Sequence, residues 1–392
     1  MKKIRIGVVF GGRSSEHLVS IRSASSVFAN LSRERYDPVP LYVLPQGRWI
    51  VPDRLPAALS ESEAKEYVRE QESRQARISR EAHLVAYPNA DQALLTIERR
   101  GRGSEGGHDT ALESAVVHGM HLDVVFPVLH GPGGEDGTVQ GLLELANLPY
   151  VGAGVLASSV GMDKAVMKAL FVARGLPTVA HAIVKRHDWL ADRARVVAEL
   201  MHEFTWPVFV KPANLGSSIG ISKAKDQAGL EQAIDLAALY DRKIVVEAAV
   251  PHAREIEVAV LGNDRPEASV PGEVIPSREF YDYDAKYLDE GSKLDIPASL
   301  TPAQVEEARR LAIEAFLAVD AAGMGRIDFL LDGETGKWFV SEINTIPGFT
   351  TISMYPKLWG ASGVAYPALI DRLIALAIER HADKQDIRTA AS

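Results

Sequence analysis

Cysteine is absent from all 392 residues. That excludes disulfides, thiolate zinc sites, iron–sulfur clusters and cysteine nucleophiles together, and it suits a reducing compartment. Long apolar runs are missing as well, since nothing approaches the roughly 18 consecutive apolar residues of a membrane-crossing helix. The opening Met1-Lys2-Lys3 has the basic end of a leader, but the apolar run after it is short and breaks at once into Gly11-Gly12-Arg13-Ser14-Ser15-Glu16. We read a first strand there. A basic excess is also lacking: 43 Lys plus Arg against 52 Asp plus Glu leave a net charge of −9. No general attraction to a phosphate backbone or an anionic membrane follows. The expected partners are small molecules, not nucleic acid or membrane, and the expected location is cytoplasmic.

What is present is an ordinary globular mixture, 46% apolar and 24% charged, long enough for two or three domains of roughly 150 residues. Apolar patterning predicts a strand over Ile4–Phe10, a helix over Val19–Leu31 and a strand over Val39–Leu44, a βαβ-like opening. From about 53 to 118 the chain turns polar and reads as an insertion of short helices and hairpins without visible chemistry. Pattern returns with a strand at Val124–Leu129 and helices over Thr138–Ala146 and Lys164–Arg174. Strands follow near Thr178–Val184, Val208–Lys211, Ile244–Val250 and Glu255–Leu261. Thr301 caps an amphipathic helix to about Val319.

Strand–glycine-loop–helix arrangements occur at Gly11-Gly12 and at His130-Gly131-Pro132-Gly133-Gly134-Glu135-Asp136-Gly137. Such loops suit an anion at a helix N-terminus, although a plain tight turn has the same composition. Lys211 ends an apolar strand, where a cation is costly unless an anion meets it, and Gly216-Ser217-Ser218 beside it offers amides and hydroxyls to a phosphate. A snorkelling lysine is the alternative. Lys164, at a helix start, is ambiguous by itself.

The sharpest pattern is Arg326-Ile327-Asp328-Phe329-Leu330-Leu331, a turn, then Trp338-Phe339-Val340-Ser341-Glu342-Ile343-Asn344. Centring a hairpin on Glu334 puts Asp328 opposite Val340 and diagonal to Glu342, with Asp328, Glu342 and Asn344 on one face. Three hard oxygen ligands suit Mg²⁺ that bridges substrate phosphates. Solvated acids on a strand are the other reading. Gly348 and Arg326 can each present N–H donors to an oxyanion.

Together these residues resemble the D-alanine–D-alanine ligase family of the ATP-grasp superfamily, from Lys3 to about Arg380 except for the insertion. Five ordered motifs carry the likeness: Gly11–Ser20, His130–Gly141, Lys211-Pro212 through Gly216–Gly220, Phe280–Tyr287 and Glu342–Gly348. The resemblance implies an α/β, three-domain ATP-grasp fold with an N-terminal open parallel sheet. The expected domains are 1–152, 153–246 and 247–392, the last carrying the metal hairpin and a lid loop near 279–291. It implies ATP-driven joining of two D-alanines through a D-alanyl phosphate, for peptidoglycan precursors. In that scheme Lys164, Lys211 and Ser218 hold ATP phosphates, Glu247 to Val250 form the adenine connector, and Glu255 meets the ribose. Asp328, Glu342 and Asn344 carry two Mg²⁺ ions, for which Mn²⁺ can substitute.

Glu16 takes the first D-alanine's ammonium within a set that includes Ser217 and Tyr287, and His130 lines the substrate. Arg326 and the Gly348 amide form the oxyanion hole, Ser353 and the Met354 amide take the second carboxylate, and Lys286 reaches the transferred phosphate. A homodimer is the family expectation. The connector Glu247-Ala248-Ala249-Val250 departs from relatives, which often have a lysine and bulkier apolar residues there. A phenol at Tyr287 favours the dipeptide over the D-lactate ester, the alternative product. Another ATP-grasp carboxylate–amine ligase is a further alternative.

Overall fold

The structure is a computed structural model that describes residues 2–58, 60–75, 80–85, 94–101, 112–216, 219–275 and 293–387. Contacts divide the chain into two compact units. One comprises Met1–Gly152, Ile346–Pro356 and Val364–Ser392; the other comprises Ala153–Thr345 and Lys357–Gly363.

The first unit begins β1 (Ile4–Gly11), α1 (His17–Asn30), β2 (Tyr36–Val43), β3 (Trp49–Ile50), α2 (Glu61–Gln75), β4 (Arg80–Leu84), β5 (Leu94–Gly101), β6 (Leu112–Met120), β7 (Val124–Pro127) and α3 (Thr138–Leu145). Among the described residues these strands form one sheet in the order β6-β5-β4-β3-β2-β1-β7. β1 runs parallel to both β2 and β7, whereas β3 to β6 pair antiparallel. The sheet is therefore mixed, not parallel throughout. The hairpins expected in the insertion extend it at one edge, and a strand that returns directly runs opposite to its neighbour. β1 lies between β2 and the edge strand β7, with Ile6, Val8, Val9 and Phe10 fully buried. At its end Gly11 has φ +94°, and a Cβ there would lie 2.2 Å from the Val43 carbonyl oxygen, so only glycine fits. Ser20 then ties α1 to the sheet: its hydroxyl accepts from Gly11 N–H at 2.8 Å and donates to the Val128 carbonyl at 2.6 Å.

The second unit follows with α4 (Val155–Met162), α5 (Lys164–Ala173), β8 (His181–Lys185), α6 (Arg186–Ala191), α7 (Arg193–Glu203), β9 (Val208–Pro212), β10 (Ser222–Ala224), α8 (Gln227–Tyr240) and β11 (Lys243–Ala248). Here β10-β9-β11-β8 make an antiparallel sheet. Next come β12 (Ala253–Gly262), β13 (Glu267–Ala268), β14 (Gly272–Ile275), β15 (Lys293–Asp295), α9 (Pro302–Ala318), β16 (Gly323–Asp332) and β17 (Trp338–Asn344). They build a second antiparallel sheet ordered β15-β14-β12-β16-β17, with β13 against β12. Helix α9 opens with the expected cap: Gln304 N–H donates to Thr301 Oγ1 at 3.3 Å, and Thr301 N–H donates to Gln304 Oε1 at 3.0 Å. Its apolar stripe of Ala308, Leu311, Ala312, Ala315 and Phe316 buries against Ile256, Val258, Ile327, Phe329 and Val340.

The chain ends with α10 (Met354–Ala361) and α11 (Tyr366–Gln385). Helix α11 belongs to the first unit, where Arg380 stacks 4.5 Å over the Tyr150 ring and donates to the Tyr150 carbonyl at 3.0 Å. No single described helix is long and apolar enough to cross a membrane.

Candidate active site

In the second unit the β16–β17 hairpin differs in register from the symmetric pairing. Arg326 pairs with Asn344 and Asp328 with Glu342, but Phe329 pairs with Val340, which leaves Ser341 as a bulge. The expected Asp328–Val340 pairing is thus corrected: Val340 is fully buried in the core, and Glu342 takes the place across from Asp328. Ile327, Phe329 and Leu331 fill the core on one face. The other face carries Arg326, Asp328, Glu342 and Asn344, with Glu257 of β12 paired beside Asp328. Asn344 Nδ2 donates to Asp328 Oδ2 at 2.9 Å. Arg326 grips Asp328 with two donors at 2.7 and 2.6 Å and meets Glu257 at 2.8 Å. Burial works against the Arg326 charge, but Asp328 and Glu257 outweigh it and hold the guanidinium firmly protonated.

The lysines come from the neighbouring elements. Asp163 caps α5 by accepting from the N–H groups of Ala165 and Val166 at 3.1 and 3.2 Å. That fixes Lys164 in the first turn, where its ammonium donates to the Leu215 carbonyl at 2.8 Å and lies 3.5 Å from Glu342. Lys211, on β9, donates to Glu247 Oε2 at 2.7 Å. Burial disfavours ionisation of Glu247, yet Lys168 and Lys211 together hold its carboxyl down to about 2. Burial likewise opposes the charge on Lys211, and Glu247 and Glu342 more than offset it, so this lysine stays protonated. The resemblance puts Glu247 at the nucleotide connector, and its side chain points into this ion cluster. Val250, half-buried, follows the end of β11. Glu255, also half-buried on β12, adds negative charge near Lys211.

In the first unit the residues expected around D-alanine gather at the start of α1 and the loop after β7. Glu16 is 7% exposed, and its carboxylate reaches so near Gly131 that a Cβ there would lie 2.7 Å from Glu16 Oε2. Ser14 locks the two loops together by donating to the His130 carbonyl at 2.6 Å. Burial holds the His130 imidazole below its usual range, against the opposing pull of Glu16 and the Ile346 hydrogen bond, so the ring is neutral near pH 7. The Ile346 carbonyl, 3.1 Å from Nδ1, can only accept, which puts the proton on Nδ1. Nε2 then accepts from the Ser23 hydroxyl at 3.0 Å, and that hydroxyl accepts from Phe349 N–H at 3.2 Å. This chain of bonds fixes the segment 346–349 that contains Gly348. Ser353 closes the same turn: its hydroxyl accepts from Thr350 N–H at 3.0 Å, and a Cβ on Gly348 would lie 2.8 Å from it. Met354, buried, begins α10.

Ser217, Ser218, Lys286, Tyr287 and the expected lid near 279–291 lie outside the described residues. Sequence reasoning missed Lys168 and Glu257. Lys168 had a signal: in α5 the buried positions are Lys164, Met167, Lys168 and Phe171, so two lysines stand in the stripe where apolar residues belong. Glu257 stands between Ile256 and Val258, both fully buried, an alternation that marks it as facing the opposite side of β12.

Comparison with known proteins agrees with these features. The family model for the D-ala D-ala ligase N-terminus matches residues 5–153, and that for the D-ala D-ala ligase C-terminus matches residues 170–375. The chain is 45% identical over 385 residues to the D-alanine–D-alanine ligase of Geobacillus thermodenitrificans, covering 98% of each chain. It is also 45% identical to that of Listeria monocytogenes, again with 98% of each covered. Among solved structures, the D-alanine–D-alanine ligase from Coxiella burnetii superposes with a TM-score of 0.80 at 34% identity, over 98% of this chain and 97% of that one. The VanG D-Ala:D-Ser ligase from Enterococcus faecalis gives a TM-score of 0.80 at 30% identity, over 96% of this chain and 100% of that one. The α/β architecture is that of the ATP-grasp ligases, and the chain belongs to the D-alanine–D-alanine ligase family.

Proposed function

We propose that this chain joins two D-alanines to D-alanyl-D-alanine, converting ATP to ADP and phosphate, and so supplies peptidoglycan precursor synthesis in the cytoplasm. The observation that carries this reading is the cluster on one unit of Lys164, Lys211, Asp328, Glu342 and Asn344, cations and oxygen donors suited to a nucleotide triphosphate. The first D-alanine's carboxylate attacks the γ-phosphorus, and ADP leaves. The second D-alanine's amine, having lost a proton, attacks the acyl carbon of the resulting D-alanyl phosphate; the C–O bond to phosphate breaks and inorganic phosphate departs.

Lys164 and Lys211 bind the phosphates, with Ser218 assisting. The backbone from Glu247 to Val250 faces adenine, and Glu255 takes the ribose. Asp328, Glu342 and Asn344 supply two carboxylates and an amide, the hard oxygen donors that Mg²⁺ prefers. Among the described residues no group of three His, Cys, Asp or Glu side chains is arranged to hold a metal ion by itself. Two Mg²⁺ ions, or Mn²⁺ in their place, neutralise charge on the phosphates when bound.

Glu16 holds the first ammonium, aided by Ser217 and Tyr287. His130, being neutral, adds no positive charge to repel it. Arg326 and the Gly348 amide serve the oxyanion, and Ser353 with the Met354 amide serves the second carboxylate. Lys286 meets the transferred phosphate under a lid formed by its loop, which keeps water from the acyl phosphate. Three domains at 1–152, 153–246 and 247–392, and a homodimer, complete the reading.

The likeness to a D-Ala:D-Ser ligase makes acceptor choice the open branch, with D-serine or D-lactate as rivals to D-alanine. The test is phosphate release from Mg·ATP with D-alanine alone, L-alanine alone, or D-alanine plus D-serine or D-lactate, with products weighed by mass spectrometry. D-Ala-D-Ala formed from D-alanine alone supports the reading. Phosphate release with none of these substrates removes the assigned reaction.

A further inference from the structure

Lys168 has no exposed side-chain surface at all. An ammonium in that position must be met on several sides, because burial alone drives it toward the neutral form. Two acceptors meet it. One is Glu247 Oε1 at 3.1 Å, the partner oxygen of the one that binds Lys211 at 2.7 Å. The other is the main-chain carbonyl of Ser341 at 3.3 Å.

Ser341 is the bulge residue of the β16–β17 hairpin, without a partner across the ladder. A bulge leaves main-chain groups outside the regular hydrogen-bond pattern, and such groups need partners when buried. Lys168 provides one. The consequence is geometric: with the bulge, Asp328 faces Glu342, whereas without it the register slips by one and Glu342 turns toward the core. Lys164, one helical turn before Lys168 on α5, lies 3.5 Å from that same Glu342. Helix α5 therefore carries one lysine that reaches the cluster directly and one that is locked beneath it.

We propose that Lys168 is a positioning residue that ties the phosphate-binding Lys211, through Glu247, to the bulge that sets Asp328 opposite Glu342, without itself touching the nucleotide. The proposal rests on the nucleotide and metal reading given above. It goes beyond that reading by assigning the alignment of the two to one buried cation.

The test is K168M, which keeps much of the volume and removes the charge, the ion pair with Glu247 and the hydrogen bond to Ser341, leaving Glu247 paired to Lys211. Mn²⁺ affinity is read by electron paramagnetic resonance with and without ADP, ADP affinity by calorimetry, and KM for D-alanine by phosphate release. We expect Mn²⁺ in the presence of ADP to bind about 10- to 100-fold more weakly, the range seen when a group that orients metal ligands is lost. KM for D-alanine should stay within about twofold, since Glu16 and His130 are untouched. Wild-type Mn²⁺ and ADP affinity in a folded K168M would overturn the proposal and leave Lys168 as a core cation only. If K168M does not fold, K168Q, which keeps a donor for Ser341, is read by the same two outcomes. Wild-type protein that binds Mn·ADP in a Lys168-dependent way yet makes no dipeptide would sink the assigned reaction and leave this inference standing.

Discussion

Asp328 lies directly across from Glu342 on paired strands, whereas a symmetric hairpin centred on Glu334 would set it across from Val340. The two carboxylates share a face with Asn344, whose amide nitrogen bonds Asp328. D328N and E342Q should each lower kcat by about a hundredfold or more, as loss of a group that stabilises transition-state charge does. Mn²⁺ titration of the two variants checks the cause; undiminished metal binding in both would remove them from the metal site.

Glu247 bridges Lys168 and Lys211 in the interior. Removing its charge in E247Q leaves two buried cations without their counter-ion, a change that costs about 3–5 kcal/mol. A large drop in Tm is the expected result. The carboxyl also makes stability pH-dependent. Its folded value of about 2 lies below the ordinary 4.5, so its contribution is complete above 4.5 and fades as pH falls toward 2. Thermal melts of wild type and E247Q across that window should converge on acidification.

His130 behaves in the same direction for another reason. Burial depresses its pKa beneath the ordinary 6.5, so the unfolded chain takes up the proton first and stability declines as pH falls below 6.5. Nitrogen NMR near pH 7 should show a neutral ring with its proton on Nδ1. An imidazolium signal there would refute the hydrogen-bond chain through Ser23.

Glu16 and Lys211 offer a split between substrates. E16Q should raise KM for D-alanine about tenfold or more, the scale of one lost charge-assisted bond of roughly 1.5–3 kcal/mol, with ADP affinity unchanged. K211M should weaken ADP and leave D-alanine saturation near wild type. Steady-state kinetics with calorimetry on both variants would show whether these two roles separate.

Much of the fold was readable because buried strands and helix stripes write their period into the sequence. Ile4–Phe10 gave β1, and Thr301 gave the start of α9. The bulge at Ser341 was not anticipated, although its trace is there: Trp338, Val340 and Ile343 are the core residues of β17, spaced two and then three apart. Strict alternation hides that signal and sets Val340, two residues before Glu342, across from Asp328. Lys168 escaped because a lysine on a helix is taken for a solvated one unless the stripe around it is traced. The hairpins of the insertion were expected, but their union with the central sheet depends on edge pairing, which the sequence does not encode locally.

The first unit is assembled from three separate stretches of chain, the last of them holding helix α11. During synthesis the ribosome has released residues up to Gly152 long before Arg380 exists to stack on Tyr150, and Leu369, Ile370 and Leu373 bury only when α11 arrives. The second unit, nearly continuous in sequence, emerges in between and can organise first. The contacts that α11 makes with β7 and α1 therefore form last, and a chain truncated before residue 366 would lack them and be prone to aggregate.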